Sequence, residues 1–176
     1  MKRRIALLLA AVLGITLVAP VAASATPGYC GIAWGSGVKS TWPTVSGALT
    51  NIRSGRQECY DRLVFDFRGE NDGYHVRYVD QVTHDGSGEP VPLRGGAFLQ
   101  VAVHSPAYDP ETGTPTYPVG DPAELVDVTG YSTFRQVAWA GSFEGTTTVG
   151  LGVRARLPFR VFTLPGRVVV DVAHFW

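Results

Sequence analysis

The sequence predicts an all-β fold, a two-sheet β-sandwich of about eight strands with little or no helix. Apolar side chains recur with period two in one run after another, and clusters of turn residues separate the runs. No window carries the i, i+3, i+4, i+7 apolar stripe of a helix. With 21 glycines and 12 prolines in 176 residues, the chain has the turn formers that such a fold consumes. Several runs wet one face and bury the other, as sandwich strands do.

The N-terminus precedes the fold. Lys2, Arg3 and Arg4 open the chain, and Ile5 to Val18 is nearly all apolar, too short to span a membrane comfortably. Ala23-Ser24-Ala25 offers the small residues a signal peptidase reads, so residues 1–25 are expected to be a signal peptide cleaved after Ala25. Residues 26–48 form a Gly- and Ser-rich N-terminal segment, and residues 49–176 one domain. No later stretch is long and apolar enough to span a membrane as a helix, so a secreted or cell-wall-associated protein is expected.

Strands are expected at Leu49–Arg53, Tyr60–Arg68, Tyr74–Val82, Ala97–His104, Phe134–Phe143, Thr146–Arg154, Phe159–Leu164 and Val168–Ala173. In the second of these Leu63, Phe65 and Phe67 share one face, opposite Arg62, Asp66 and Arg68. Asn71-Asp72-Gly73 suits a hairpin between the second and third strands, and Glu144-Gly145 a tight link later on. Pro122 to Val128 has room for one helical turn. Two loops, 83–96 and 107–122, exceed hairpin length and are places where function or tolerated insertion can sit.

Charge and cysteine content narrow the partners. Lys2, Arg3 and Arg4 are three of the 15 basic side chains, so 12 remain against 15 acidic after cleavage, a net of −3. That balance argues against nucleic acid and against an anionic membrane held by bulk charge. Cys30 and Cys59 are the two cysteines, in an exported chain and with no C-x-x-C, so a structural disulfide is expected between them.

Catalytic patterns are sparse. His75, His84, His104 and His174 are scattered with no H-E-x-x-H spacing, and no metal or other cofactor is expected. Ser36-Gly37-Val38-Lys39 fits S-x-x-K, but its partner motifs are missing. Asp61 and Asp66 point to opposite faces of one strand and cannot act as a glycosidase pair. What remains is aromatic and arginine content. Trp34, Trp42, Tyr108 and Tyr117 fall in expected loops, where rings stack on sugars, anchor a protein or cap the sandwich. Arg62, Arg68 and Arg77 lie on wet faces of strands expected to pair, suited to carboxylates or phosphates of a polymer or to cross-strand ion pairs with Asp66.

The order of segments resembles a known family. Tyr60-Asp61-Arg62-Leu63-Val64-Phe65-Asp66-Phe67, then Gly73-Tyr74-His75-Val76-Arg77-Tyr78-Val79, is similar to the opening of the AMIN-like domain of exported actinobacterial proteins. Leu93 to His104, Gly152 to Phe162 and Val168-Val169-Val170-Asp171-Val172-Ala173-His174 continue the likeness, which covers about Leu49 to His174. It implies a β-sandwich related to the AMIN module, a non-catalytic unit that targets proteins to peptidoglycan or the cell envelope. The expected function is therefore a secreted envelope-binding domain recognising peptidoglycan or an attached glycan, through Arg62, Arg77, Tyr108 and Trp139. The alternative is a protein–protein interaction module docking an envelope or secretion partner. No enzymatic activity is expected.

Overall fold

The computed structural model describes residues 28–44 and 46–176; the expected signal segment 1–25 lies outside them. After a 3-10 turn at Tyr29–Gly31 come nine strands: β1 (Lys39–Thr41), β2 (Ala48–Arg56), β3 (Tyr60–Arg68), β4 (Tyr74–Val79), β5 (Ala97–Val103), β6 (Phe134–Phe143), β7 (Thr146–Val153), β8 (Phe159–Leu164) and β9 (Arg167–Ala173). They form two antiparallel sheets, β1-β4-β5-β7-β6 and β2-β3-β9-β8. The two-sheet all-β architecture is thus as expected, with one strand more. β1 is three residues long, too short to show a period, and forms because Lys39 to Thr41 pair with Val76 to Tyr74 on β4. Pro122–Val128 holds a turn, closed by Glu124 N–H on the Asp121 carbonyl (3.2 Å), in place of a helical turn.

The expected hairpin at Asn71-Asp72-Gly73 is corrected. β3 belongs to the four-stranded sheet and β4 to the five-stranded one, so this segment carries the chain across the sandwich. The reason is burial: Leu63, Phe65 and Phe67 face the same core as Val76, and strands that face each other across a core do not pair. Asn71 is buried and accepts the Gly73 N–H (3.2 Å), while Asp72 takes the Thr44 N–H (2.8 Å).

The main core lies between the sheets. Leu49, Ile52, Leu63, Phe65, Phe159, Val168, Val170 and Val172 meet Val76, Leu99, Val101, Val103, Val137, Val149, Leu151 and Val153. Full burial of each such side chain contributes roughly 1.5–3 kcal/mol. At the edge of this core the Tyr78 hydroxyl donates to the Leu157 carbonyl (2.6 Å) and accepts the Leu157 N–H (3.0 Å). Burial pushes its pKa up to about 12.

A second, smaller core sits on the outward face of the five-stranded sheet, where Val82 and Val91 cover Ala138 and Ala140. It explains loop 83–96. His84 N–H bonds the Glu89 carbonyl and Val91 N–H the Val82 carbonyl, so the loop is a narrow ribbon laid over the sheet. A Cβ on Gly150 would stand 2.8 Å from a Leu93 methyl, and one on Gly152 would run into the Arg94 carbonyl. The tight link between β6 and β7 places Glu144 (φ 47°) and Gly145 (φ 77°) both in the left-handed region, as a type I′ turn requires.

The Cys30–Cys59 disulfide is present and fastens the N-terminal segment to the turn before β3. Gly35 extends the attachment by pairing with Phe159 at the edge of β8.

Candidate functional site

The second long loop builds the site. Tyr108 pairs with Pro115, Asp109 N–H bonds the Thr114 carbonyl (2.8 Å), and Thr116 N–H bonds the Ala107 carbonyl (2.9 Å). The Asp109 side chain accepts the N–H groups of Glu111 (2.9 Å) and Thr112 (3.1 Å), closing the ribbon tip. The Thr112 and Glu111 amides hold its carboxyl below the usual carboxylate range. Thr116 ties the ribbon to β2 through the Leu49 carbonyl (2.7 Å). Further on, Trp139 N–H bonds the Pro122 carbonyl (2.7 Å) and Leu125 N–H the Val137 carbonyl (2.8 Å), so the loop's far end covers the free edge of β6.

Between the ribbon and β6 lies an open cleft of about 570 Å³ lined by Tyr108, Pro115, Tyr117, Pro118, Trp139 and Ser142 among others. Tyr117 and Trp139 lie with ring centroids 5.9 Å apart at 34°, and burial raises the Tyr117 phenol pKa. Both rings also pack against the main core, which fixes them in place. On the other side of the ribbon a polar groove of about 410 Å³ is lined by Thr50, Arg68, Asp109, Thr112, Thr114 and Thr116. Pro115 borders both hollows. The Ser142 hydroxyl accepts the Ala107 N–H (2.9 Å) and sits 2.9 Å from the Thr147 hydroxyl, which donates to the Ser105 carbonyl. Its proton therefore goes to Thr147, and the hydroxyl serves to hold the cleft wall.

Of the four expected site residues, Tyr108 and Trp139 come together and the two arginines do not. Arg62 lies on the outward face of the four-stranded sheet, bound to Asp171 at 2.7 Å. Arg77 lies on the outward face of the other sheet and reaches Gln100 at 3.4 Å. Expecting them on paired strands followed from the hairpin that the fold replaces. The cross-strand ion pairs expected at Asp66 exist, but their arginines are Arg53 (2.8 Å) and Arg167 (3.2 Å).

Other residues take roles that period and spacing do not reveal. Asp61 is buried and accepts the N–H groups of Thr133 (2.6 Å) and Phe134 (3.0 Å), while its other oxygen meets His174 Nε2 at 3.1 Å. Trp34 packs on Tyr60 and under the Arg160 guanidinium (5.6 Å), on the outward face of the four-stranded sheet. Trp42, 84% exposed, stacks on His104 with centroids 5.7 Å apart at 14°. His84 Nδ1 lies 3.2 Å from the Ala140 carbonyl. Among the described residues, no group of three or more His, Cys, Asp or Glu is placed to hold a metal ion. No helix among them is long and apolar enough to cross a membrane.

Neither the curated proteins nor the solved structures give a match to the chain. Residues 47–174, from just before β2 to the end of β9, match the AMIN-like domain. That span takes in both sheets except β1, together with the ribbon and its cleft. The chain belongs to the AMIN-like domain family, a family of cell-envelope-associated domains.

Proposed function

We propose that the protein is a secreted, non-catalytic domain that binds peptidoglycan or an attached glycan in the aromatic cleft. One observation carries this reading: Tyr108 on the ribbon and Trp139 on β6, 31 positions apart in the chain, line one cleft with Tyr117. Aromatic rings present flat apolar faces to the C–H faces of a sugar ring, and rings held by the core lose little freedom on binding. The threonine-lined groove beyond Pro115 supplies hydroxyls and Arg68 for polar groups of a neighbouring unit. Arg62 and Arg77 lie outside the cleft and take no part in this contact.

Soluble peptidoglycan fragments, titrated into isotope-labelled protein, test the proposal. Resonances of Tyr108, Tyr117 and Trp139 are expected to shift together, and Tyr108→Ala is expected to weaken binding at least fivefold. Shifts confined to other surfaces would overturn it. The competing partner is an envelope protein, favoured by the exposed Phe175 and Trp176 beside Tyr29 and Arg156. That reading gives no response to glycan and broadening centred on Phe175.

A further inference from the structure

Residues 28–176 hold 12 basic and 15 acidic side chains, but the basic ones are unevenly placed. The outward face of the four-stranded sheet carries Arg53, Arg62, Arg160 and Arg167, one from each strand, around Asp66 and Asp171. Asp171 accepts from Arg62 at 2.7 and 2.9 Å and from Arg160 at 2.8 Å. Asp66 accepts from Arg53 at 2.8 and 3.1 Å and from Arg167 at 3.2 Å. Each carboxylate lies between two guanidinium groups, and one of the two would suffice to neutralise it. Two clusters with a surplus positive charge each are the result.

In each cluster the acid is more covered than its cations: Asp171 is 0% exposed against 27% for Arg62 and 30% for Arg160, and Asp66 22% against 49% for both Arg53 and Arg167. The field at this surface is therefore positive on a domain whose overall charge is negative. The Asp contacts use Nε of every one of the four arginines, and among the described residues none of their NH1 groups makes a hydrogen bond. Arg62 and Arg160 are further fixed over the rings of Tyr60 and Phe162, at 5.0 to 5.5 Å from the centroids. Asp66 and Arg62 are four residues apart on β3, which separates the clusters by about 13 Å. Asp109 lines the groove with Arg68, whereas Glu70 accepts the Gly166 N–H at 3.1 Å and keeps its charge beside Arg167, so the surplus is larger at the Arg62–Arg160 cluster.

We propose that this face binds a linear anionic polymer of phosphodiester-linked units, bridging the Arg53–Arg167 and Arg62–Arg160 clusters. A small anion could engage one cluster, whereas a chain with repeated charges spans both and gains from the second as an intramolecular contact. Weakly hydrated guanidinium groups suit phosphodiester oxygens better than an ammonium would, and eleven of the 12 basic residues from position 28 onward are arginine. Nucleic acid fits less well, because the rings on this face are already covered by Arg62 and Arg160 and offer no base a stacking surface. This site is separate from the aromatic cleft and does not depend on it.

Isothermal titration of the protein with poly(glycerol phosphate) of about twenty repeats tests the proposal. Binding at low salt is expected, weakening at least tenfold when salt is raised about sixfold. Arg53→Gln with Arg167→Gln is expected to lower affinity tenfold or more, while Arg94→Gln and Tyr108→Ala leave it unchanged. If the double Gln variant does not fold, Arg53→Lys with Arg167→Lys keeps the charge against Asp66 and is expected to lose about threefold. No binding by the unmodified protein, or an equal loss with Arg94→Gln, would overturn the proposal. So would tighter binding of single-stranded DNA of equal charge, or capture by phosphatidylglycerol vesicles without capture by the polymer. A loss with Tyr108→Ala would merge the two sites and overturn their separation.

Discussion

Arg62 grips both oxygens of Asp171, at 2.7 and 2.9 Å, across 109 residues of chain, and Asp171 is fully buried although it lies on the outward face of its sheet. The aromatic rings and the second guanidinium of Arg160 roof it over. An acid buried this way stabilises the fold only while its partners remain. Arg62→Met combined with Arg160→Met strands the carboxylate and is expected to cost roughly 3–5 kcal/mol. Asp171→Asn leaves two cations that still reach water and is expected to cost about half as much. Urea midpoints at constant slope measure both; the reverse order would contradict the account.

The disulfide between Cys30 and Cys59 closes a loop of 29 residues and holds the segment that carries Trp34, Gly35 and β1. Cys30→Ser and Cys59→Ser are each expected to lower stability under oxidising conditions by about 3 kcal/mol. Reducing agent is expected to lower the Tm of the unmodified protein and to leave both variants unchanged.

Gly152 lies under the backbone of Arg94, where the ribbon 83–96 crosses the five-stranded sheet. Gly152→Ala forces the ribbon outward and opens the small core of Val82, Val91, Ala138 and Ala140. A loss of about 1–3 kcal/mol is expected. Faster hydrogen exchange at the Val91 amide, which bonds the Val82 carbonyl, is expected with it.

Burial, then the neighbouring His75, holds the His104 pKa below its ordinary 6.5. A base with a depressed folded pKa binds fewer protons folded than unfolded, so its contribution is full above about pH 6.5 and is lost as pH falls below it. The Tm is expected to drop between about pH 7.5 and 5, and to drop less in His104→Gln. Asp66 acts lower on the scale. Burial raises its carboxyl, but the bonds and charge of Arg53, with the Asn51 bond and the Arg167 charge, together hold it below 3.8, so this contribution is lost only in stronger acid.

Much of the fold was legible from alternation alone. Leu63, Phe65 and Phe67 against Arg62, Asp66 and Arg68 reads directly as one buried and one wet face, and it is so. The exceptions have physical causes. Val64 sits on the wet face yet is 4% exposed, on an inner strand where it stands between Arg53 of β2 and Val169 of β9. The Asn71–Gly73 link carries hairpin chemistry, but which sheet receives β4 depends on a core that forms at a distance. The site was half legible. The sequence points to Tyr108 and Trp139 as binding residues and to Tyr117 as a loop ring, but their meeting depends on how the ribbon folds over β6. The pairings of Arg62 with Asp171 and of Asp61 with His174 depend on the register of β3 against β9, which no local pattern encodes.

The most direct measurement of the central claim is co-sedimentation of the protein with purified sacculi stripped of attached anionic polymers, comparing unmodified protein with Tyr108→Ala. The account predicts that the unmodified protein pellets with the sacculi and that the variant, with unchanged Tm, stays largely in the supernatant. Recovery of the unmodified protein only in the supernatant, or equal pelleting of both, would contradict it.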